Sequence, residues 1–151
     1  MIRPLLIIAL FALGLAACEK SNADTKPKIK VKNTNTGVVA QNQSLVVRFE
    51  FTDKEGDVDS LVMLRNRLNK RGLVSNLRGP YLLPAFPATA KGEIELEADY
   101  NFALTFGINP LKIPGSVPDK FEPDTMKLRF YAVDLAGNRS DTVDLDVIVV
   151  R

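Results

Sequence analysis

The sequence predicts an all-β domain, an antiparallel sandwich of about seven strands. Three observations carry that expectation. Short segments past residue 27 alternate apolar and polar side chains with a period of two, the pattern of strands with one buried face. Clusters of Gly, Pro, Asn and Asp separate these segments and suit turns. The last two segments match each other in charge as well as in apolar pattern, as a closing hairpin should.

Taken in order, Lys28-Ile29-Lys30-Val31-Lys32 alternates strictly and reads as a half-buried strand. Asn33 to Gln43 is a polar connection, with Val38-Val39-Ala40 placed for a short edge strand. Leu45, Val47, Phe49 and Phe51 then alternate with Val46, Arg48, Glu50 and Thr52. That strand stops at Asp53-Lys54-Glu55-Gly56-Asp57-Val58-Asp59, where Gly and Asp favour a turn. Ser60 to Asn69 fits a helical face through Leu61, Leu64 and Leu68, or a strand through Val62 and Leu64; its neighbours favour the strand. Lys70-Arg71-Gly72 would turn it. Gly79 to Gly92 holds three prolines and reads as loop with short extended pieces.

Ile94, Leu96, Ala98 and Tyr100 alternate with Glu93, Glu95, Glu97 and Asp99, and the alternation runs on to Phe102, Leu104 and Phe106. Gly107 to Asp124 carries Pro110, Pro114, Pro118 and Pro123 and is expected to be a long loop, because proline has no N–H to give a ladder. Met126, Leu128, Phe130 and Ala132 form the next strand, and Val143, Leu145, Val147 and Val149 the last. Pairing Arg129 with Asp144 and Lys127 with Asp146 also pairs Phe130 with Val143 and Leu128 with Leu145. Opposite charges then meet on one face and apolar groups on the other. A slip of one residue would bury charge.

Two stretches resemble a known family. Tyr131-Ala132-Val133-Asp134-Leu135-Ala136-Gly137-Asn138-Arg139-Ser140 resembles the closing hairpin of many bacterial Ig-like and fibronectin-III-like extracellular domains. Phe49-Glu50-Phe51-Thr52-Asp53-Lys54-Glu55-Gly56-Asp57 resembles the end of the second strand in such modules. The resemblance implies an Ig-like β-sandwich over 28–151. It also implies that the acidic turn and the Asp134-to-Asp141 turn lie at one end, with the basic and proline-rich loops at the other.

The segment ahead of that domain has a different composition. Arg3 is followed by an apolar run from Leu5 to Leu15, the layout of a cleaved export signal. The apolar stretch from Pro4 to Ala17 is too short for a membrane span, which takes about 20 residues. Leu15-Ala16-Ala17-Cys18 resembles the lipobox of bacterial lipoproteins. The resemblance implies a signal peptide over 1–17, cleavage before Cys18 and lipid on its sulfur. Residues 18–27 are then the lipidated cysteine and a polar, flexible tether. Glu19 is not the aspartate that favours inner-membrane retention in that family, so the outer membrane is expected, on either face.

Composition narrows the chemistry. The chain of 151 residues has no histidine and one cysteine, which removes Ser-His-Asp and Cys-His catalysis and zinc sites of the His/Cys type. With 20 basic and 18 acidic residues, and Arg3 in the leader, the mature charge is close to +1, which argues against a general nucleic-acid binder. Paired carboxylates on a strand face usually mean solvent, and a domain this small has little room for a cleft, so no enzyme is expected. The expected role is binding or structural interaction at the envelope. The alternatives are an accessory subunit of an outer-membrane glycan or transport complex, and a calcium-stabilised adhesion module.

Three constellations are candidates for function. Asp53, Glu55, Asp57 and Asp59 fall at every second position, and Asp134, Asn138 and Asp141 would approach them at the same end. Calcium takes six to eight oxygen ligands, and this group offers several. The blander reading is a solvated turn, with Asp53 or Asp57 capping N–H groups and Lys54 or Arg139 offsetting charge. Secondly, Ser60 to Gly92 carries Arg65, Arg67, Lys70, Arg71, Arg78 and Lys91 without an acid. It is either a face for an anionic glycan, lipid headgroup or acidic envelope protein, or an internal match to the Glu93-Glu95-Glu97-Asp99 stripe. Finally, Tyr81, Phe86, Phe106 and Phe121 sit in or beside the proline-containing loops, either as a recognition surface or as lids over the core.

Overall fold

The computed structural model describes residues 25–151, apart from residue 86. The leader, the lipobox, Cys18 and Phe86 lie outside the described residues. Among the described residues eight strands form: β1 (Lys28–Thr34), β2 (Val38–Val39), β3 (Ser44–Thr52), β4 (Val58–Arg67), β5 (Val74–Leu82), β6 (Lys91–Asp99), β7 (Asp124–Asp134) and β8 (Val143–Val149). They make a three-stranded sheet, β1-β3-β6, and a five-stranded sheet, β2-β8-β7-β4-β5. Both sheets face one core. β3 contributes Leu45, Val47, Phe49 and Phe51, and β7 contributes Met126, Leu128, Phe130 and Ala132. The Phe49 and Phe130 rings meet edge to face across that core at 4.9 Å, worth about 0.5–1.5 kcal/mol beyond their buried area.

Period-two alternation produced these strands as expected, and the closing hairpin has the expected register. Arg129 pairs with Asp144, Lys127 with Asp146, Leu128 with Leu145 and Phe130 with Val143. The Arg129 guanidinium donates to Asp144 at 2.8 Å on the outer face. On the other sheet the outer face is a charge ladder. Lys30 reaches Glu50 at 2.7 Å and Arg48 reaches Glu95 at 2.6 Å, while Lys32 pairs with Glu93. Glu93 and Glu95 of the β6 stripe are therefore matched by β1 and β3, and among the described residues no ion pair joins the stripe to the basic segment.

Three expectations need correction. The sheets are not wholly antiparallel: β2 pairs with β8 in parallel, Val38 beside Ile148 and Val39 beside Val149. β5 starts at Val74, in a stretch given no element from sequence, and runs to Leu82, inside the segment read as loop with short extended pieces. It is an edge strand on β4, and its irregularity at Gly79-Pro80 falls opposite Val62, where the ladder skips between Leu61 and Met63. Proline is tolerated there because an edge or a bulge does not need its N–H. Lastly, β6 does not run on to Phe106. The chain turns at Asp99, whose side chain accepts the Phe102 N–H at 2.7 Å, and Tyr100–Thr105 form one turn of π-helix. That turn buries Tyr100, Ala103 and Leu104, and the Tyr100 hydroxyl donates to the Val150 carbonyl at 2.9 Å beyond β8. The Gly107–Asp124 segment folds back on itself as a small hairpin, with the Ile113 N–H donating to Lys120 at 2.8 Å and the Glu122 N–H to Leu111 at 2.8 Å.

Candidate functional site

β7 organises both ends of the molecule. Every second residue from Asp124 to Asp134 is buried, so the core-facing row begins and ends with a carboxylate. A carboxylate inside a protein needs charge compensation or hydrogen bonds. The two ends receive different treatment.

At the Asp124 end the partners are arginines. Asp124 is fully buried between Arg67, whose Nη1 lies 3.3 Å from one oxygen, and Arg151, whose Nε lies 2.6 Å from the other. Arg67 Nη1 also donates to the Asn109 carbonyl at 2.7 Å, and its Nε donates to the Gly72 carbonyl. Arg65 is buried as well and donates to the Leu104 carbonyl at 2.7 Å and the Phe106 carbonyl at 2.9 Å. Arg78 joins it at Phe106 O, 2.7 Å away, and stacks over the Phe106 ring. These guanidinium groups satisfy the last carbonyls of the π-helical turn and its exit, which lack partners of their own. Burial, and then the nearby Arg78, lower the Arg65 guanidinium to about 10.

This corrects the expected basic face. Arg65 and Arg67 share the inward parity of Leu61 and Met63, so they are structural and not displayed to solvent. Arg71 pairs with Glu122 and donates to the Lys112 carbonyl at 2.9 Å, tying the β4–β5 turn to the proline-rich loop. Of the five candidates, only Lys70 and Arg71 are exposed. Tyr81 packs against the core, whereas Phe106 stands largely exposed.

At the Asp134 end the neighbours are acids. The β3–β4 loop and the β7–β8 turn meet, with the Leu135 N–H donating to the Asp57 carbonyl at 3.1 Å. Carboxylate oxygens of Glu55, Asp57 and Asp134 all lie within 4.8 Å of one another. Asp134 accepts from the Asn138 N–H at 2.7 Å and the Asn138 side-chain amide at 2.9 Å. Asp53 is 2% exposed and accepts the Asp57 N–H at 2.8 Å through Oδ2. Its Oδ1, and the Oδ1 of Asp57, are buried without a hydrogen-bond partner. Burial, then contact with the Asp53 carboxyl, then the charges of Asp134 and Glu55 push the Asp57 carboxyl above its ordinary range.

Four of the six acidic-end candidates are thus brought together: Asp53, Glu55, Asp57 and Asp134. Asp59 is not: it stands at a bulge between Val58 and Ser60, where the ladder with β7 skips a residue, and it lies outside the group of converging carboxylates. Asn138 holds Asp134 through its amide N–H groups and not through oxygen. Arg139 does not offset the cluster by contact; it stacks over the Tyr131 ring, 5.4 Å from the centroid. Gly56, at φ +72°, makes the loop compact, since a Cβ there would stand 2.7 Å from the Thr89 backbone nitrogen. Lys28 pairs with Thr52, so the chain enters the domain at this acidic end.

No protein-family model matches the chain, and no curated protein matches it. Solved structures give distant likenesses. One is a Pseudomonas fluorescens alkylpurine DNA glycosylase bound to DNA containing an abasic-site analogue, at 14% identity and TM-score 0.48, covering 84% of this chain and 31% of that one. A second is a β-glucosidase from Erythrobacter marinus, at 11% identity and TM-score 0.49, covering 83% and 16%. A third is a Niemann-Pick type C2 protein from the Japanese carpenter ant, at 10% identity and TM-score 0.42, covering 81% and 89%. The chain spans less than a third of the glycosylase and about a sixth of the glucosidase. At these values none bears on activity.

Proposed function

We propose that the protein is an exported, lipid-anchored, non-catalytic Ig-like β-sandwich that serves binding or structural interaction in the cell envelope. The observation that carries the anchoring is Leu15-Ala16-Ala17-Cys18 at the end of an eleven-residue apolar run, with the chain's single cysteine at the lipidation position. One acyl chain binds a membrane marginally, and two or more make a stable anchor. Glu19 favours the outer membrane. The Ig-like reading is supported by strand order: β8-β7-β4-β5 corresponds to a G-F-C sheet extended by one strand, facing β1-β3-β6.

The test is metabolic labelling with palmitate, followed by membrane fractionation. Wild type is expected to take up label and sediment with membranes. Cys18→Ala is expected to take up none and to appear in the soluble fraction with its β-sheet circular dichroism intact. Membrane retention of an unlabelled Cys18→Ala protein would refute the anchor.

A further inference from the structure

We propose that Glu55, Asp57 and Asp134, with the buried Asp53 carboxylate behind Asp57, form a calcium site that clamps the β3–β4 loop to the β7–β8 turn. This goes beyond the anchoring proposal and does not depend on it.

The geometry fits one ion. Calcium–oxygen distances are about 2.3–2.6 Å, so two ligands on opposite sides of one ion are separated by about 5 Å at most. The oxygens of Glu55, Asp57 and Asp134 all fall within 4.8 Å of one another. They can therefore share a single coordination sphere.

An acidic cluster alone would not carry the assignment. The independent observation is Asp53, which lies outside that triad and is 2% exposed. Its Oδ1 has no hydrogen-bond donor, and the Asp57 Oδ1 is equally unpartnered. The two carboxyl groups are in contact. Buried acceptors on touching carboxyl groups, without a donor, need a positive species beside them. The Asp57 N–H already serves the other oxygen of Asp53, and Asn138 donates one hydrogen bond to each oxygen of Asp134.

The opposite end of β7 shows how this fold compensates a buried carboxylate with its own side chains: Asp124 has Arg67 and Arg151. At the Asp134 end the Asp57 carboxyl has three further acids around it, Asp53, Asp134 and Glu55. The donor set is oxygen only, which selects a hard cation. Three carboxylates from two loops, backed by Asp53 and completed by water, suit the large and irregular shell of calcium better than the near-octahedral shell of magnesium.

The experiment uses the full-length protein in detergent, stripped with EDTA and dialysed, with Tm followed as calcium chloride is raised. Wild type is expected to gain about 5 °C by about 10 mM calcium, with magnesium giving less than half of that. Asp57→Asn is expected to fold, with a metal-free Tm no lower than wild type, and to lose the calcium response. Asp53→Asn provides a second variant with the same expected loss. Asp59→Asn, two residues past Asp57 and outside the cluster, should keep the full response. A wild-type gain below about 1 °C, a full response in both Asp53→Asn and Asp57→Asn, or an equal response to magnesium would overturn the assignment. So would a Tm that ignores calcium and rises only on acidification, which would assign the carboxyl pair to a shared proton.

Discussion

Asp124→Asn and Asp134→Asn impose the same change on the two ends of β7, and the structure gives them different signs. Asp124 is fully buried against Arg67 and Arg151. Asparagine keeps the shape but removes the charge both guanidinium groups face. Breaking a buried ion pair from one side costs about 3–5 kcal/mol. Arg67 keeps its bonds to the Gly72 and Asn109 carbonyls, which places the cost near about 3 kcal/mol. In a domain of about 130 residues, 1 kcal/mol moves Tm by about 4 °C, so the expected loss is about 12 °C.

At Asp134 the same change sacrifices at most one of two bonds from Asn138, about 1 kcal/mol. It also removes a negative charge within 4.8 Å of Glu55 and Asp57. Each such repulsion is worth between roughly 1 and 3 kcal/mol for effective dielectrics from water-like to surface-like, and relief of one of the two is the minimum gain. In EDTA, Asp134→Asn is therefore expected to leave Tm unchanged or to raise it by up to about 8 °C. Circular dichroism melts of both variants beside wild type would measure this. Equal losses in the two variants, or a greater loss in Asp134→Asn, would refute the asymmetry.

Two other predictions concern backbone and pH. Gly56→Ala is expected to cost about 2–4 kcal/mol by urea unfolding, because a left-handed residue is strained and its Cβ would strike the Thr89 backbone at 2.7 Å. Gly137→Ala, also left-handed at φ +82° but with open space around it, should cost only about 1 kcal/mol. Hydrogen bonds from Lys30 and Arg129 hold Glu50 and Asp144 below their ordinary values of 4.5 and 3.8. Their contribution to stability is fully present above those unfolded values and is lost as pH falls through the lower folded ones. Both pairs are exposed, so the acid-side loss in Tm is expected to be small, and smaller still in Arg129→Gln.

The parts of the fold legible in the sequence are those where pattern and charge agree locally. The β7–β8 register is one: Arg129, Lys127, Asp144 and Asp146 admit a single alignment that keeps Phe130 and Leu128 inside. The meeting of the acidic loop with the Asp134 turn was also legible, through the resemblance to Ig-like hairpins. β5 was hidden because an edge strand buries little, and Gly79-Pro80 interrupts its alternation. The π-helical turn was hidden because Leu104 keeps the apolar period of β6 while Phe102 and Phe106 point outward.

The buried arginines were misread for a physical reason. A guanidinium turns inward only when carbonyls and carboxylates are waiting for it. Those partners, Leu104, Phe106, Asn109 and Asp124, come from segments about 40 to 60 residues away. Nothing local announces them. The parity of Leu61 and Met63 was the available signal, but Val62 and Leu64 offered the opposite one.

The first strand pair has a mechanical consequence. The chain leaves β1 in one sheet and, after a short crossing, lies along β8 in the other, held by the Ile148 N–H on Gly37 and the Val150 N–H on Val39 at 2.9 Å each. A pull on the segment ahead of Lys28 would have to detach β1 from β3 before tension reached β2. Because β2 and β8 run in parallel, that tension would load their contact lengthwise, in shear, and not open it bond by bond. Traction on the N-terminal end of the domain would thus meet two sheets in series, the second of them through its shortest strand.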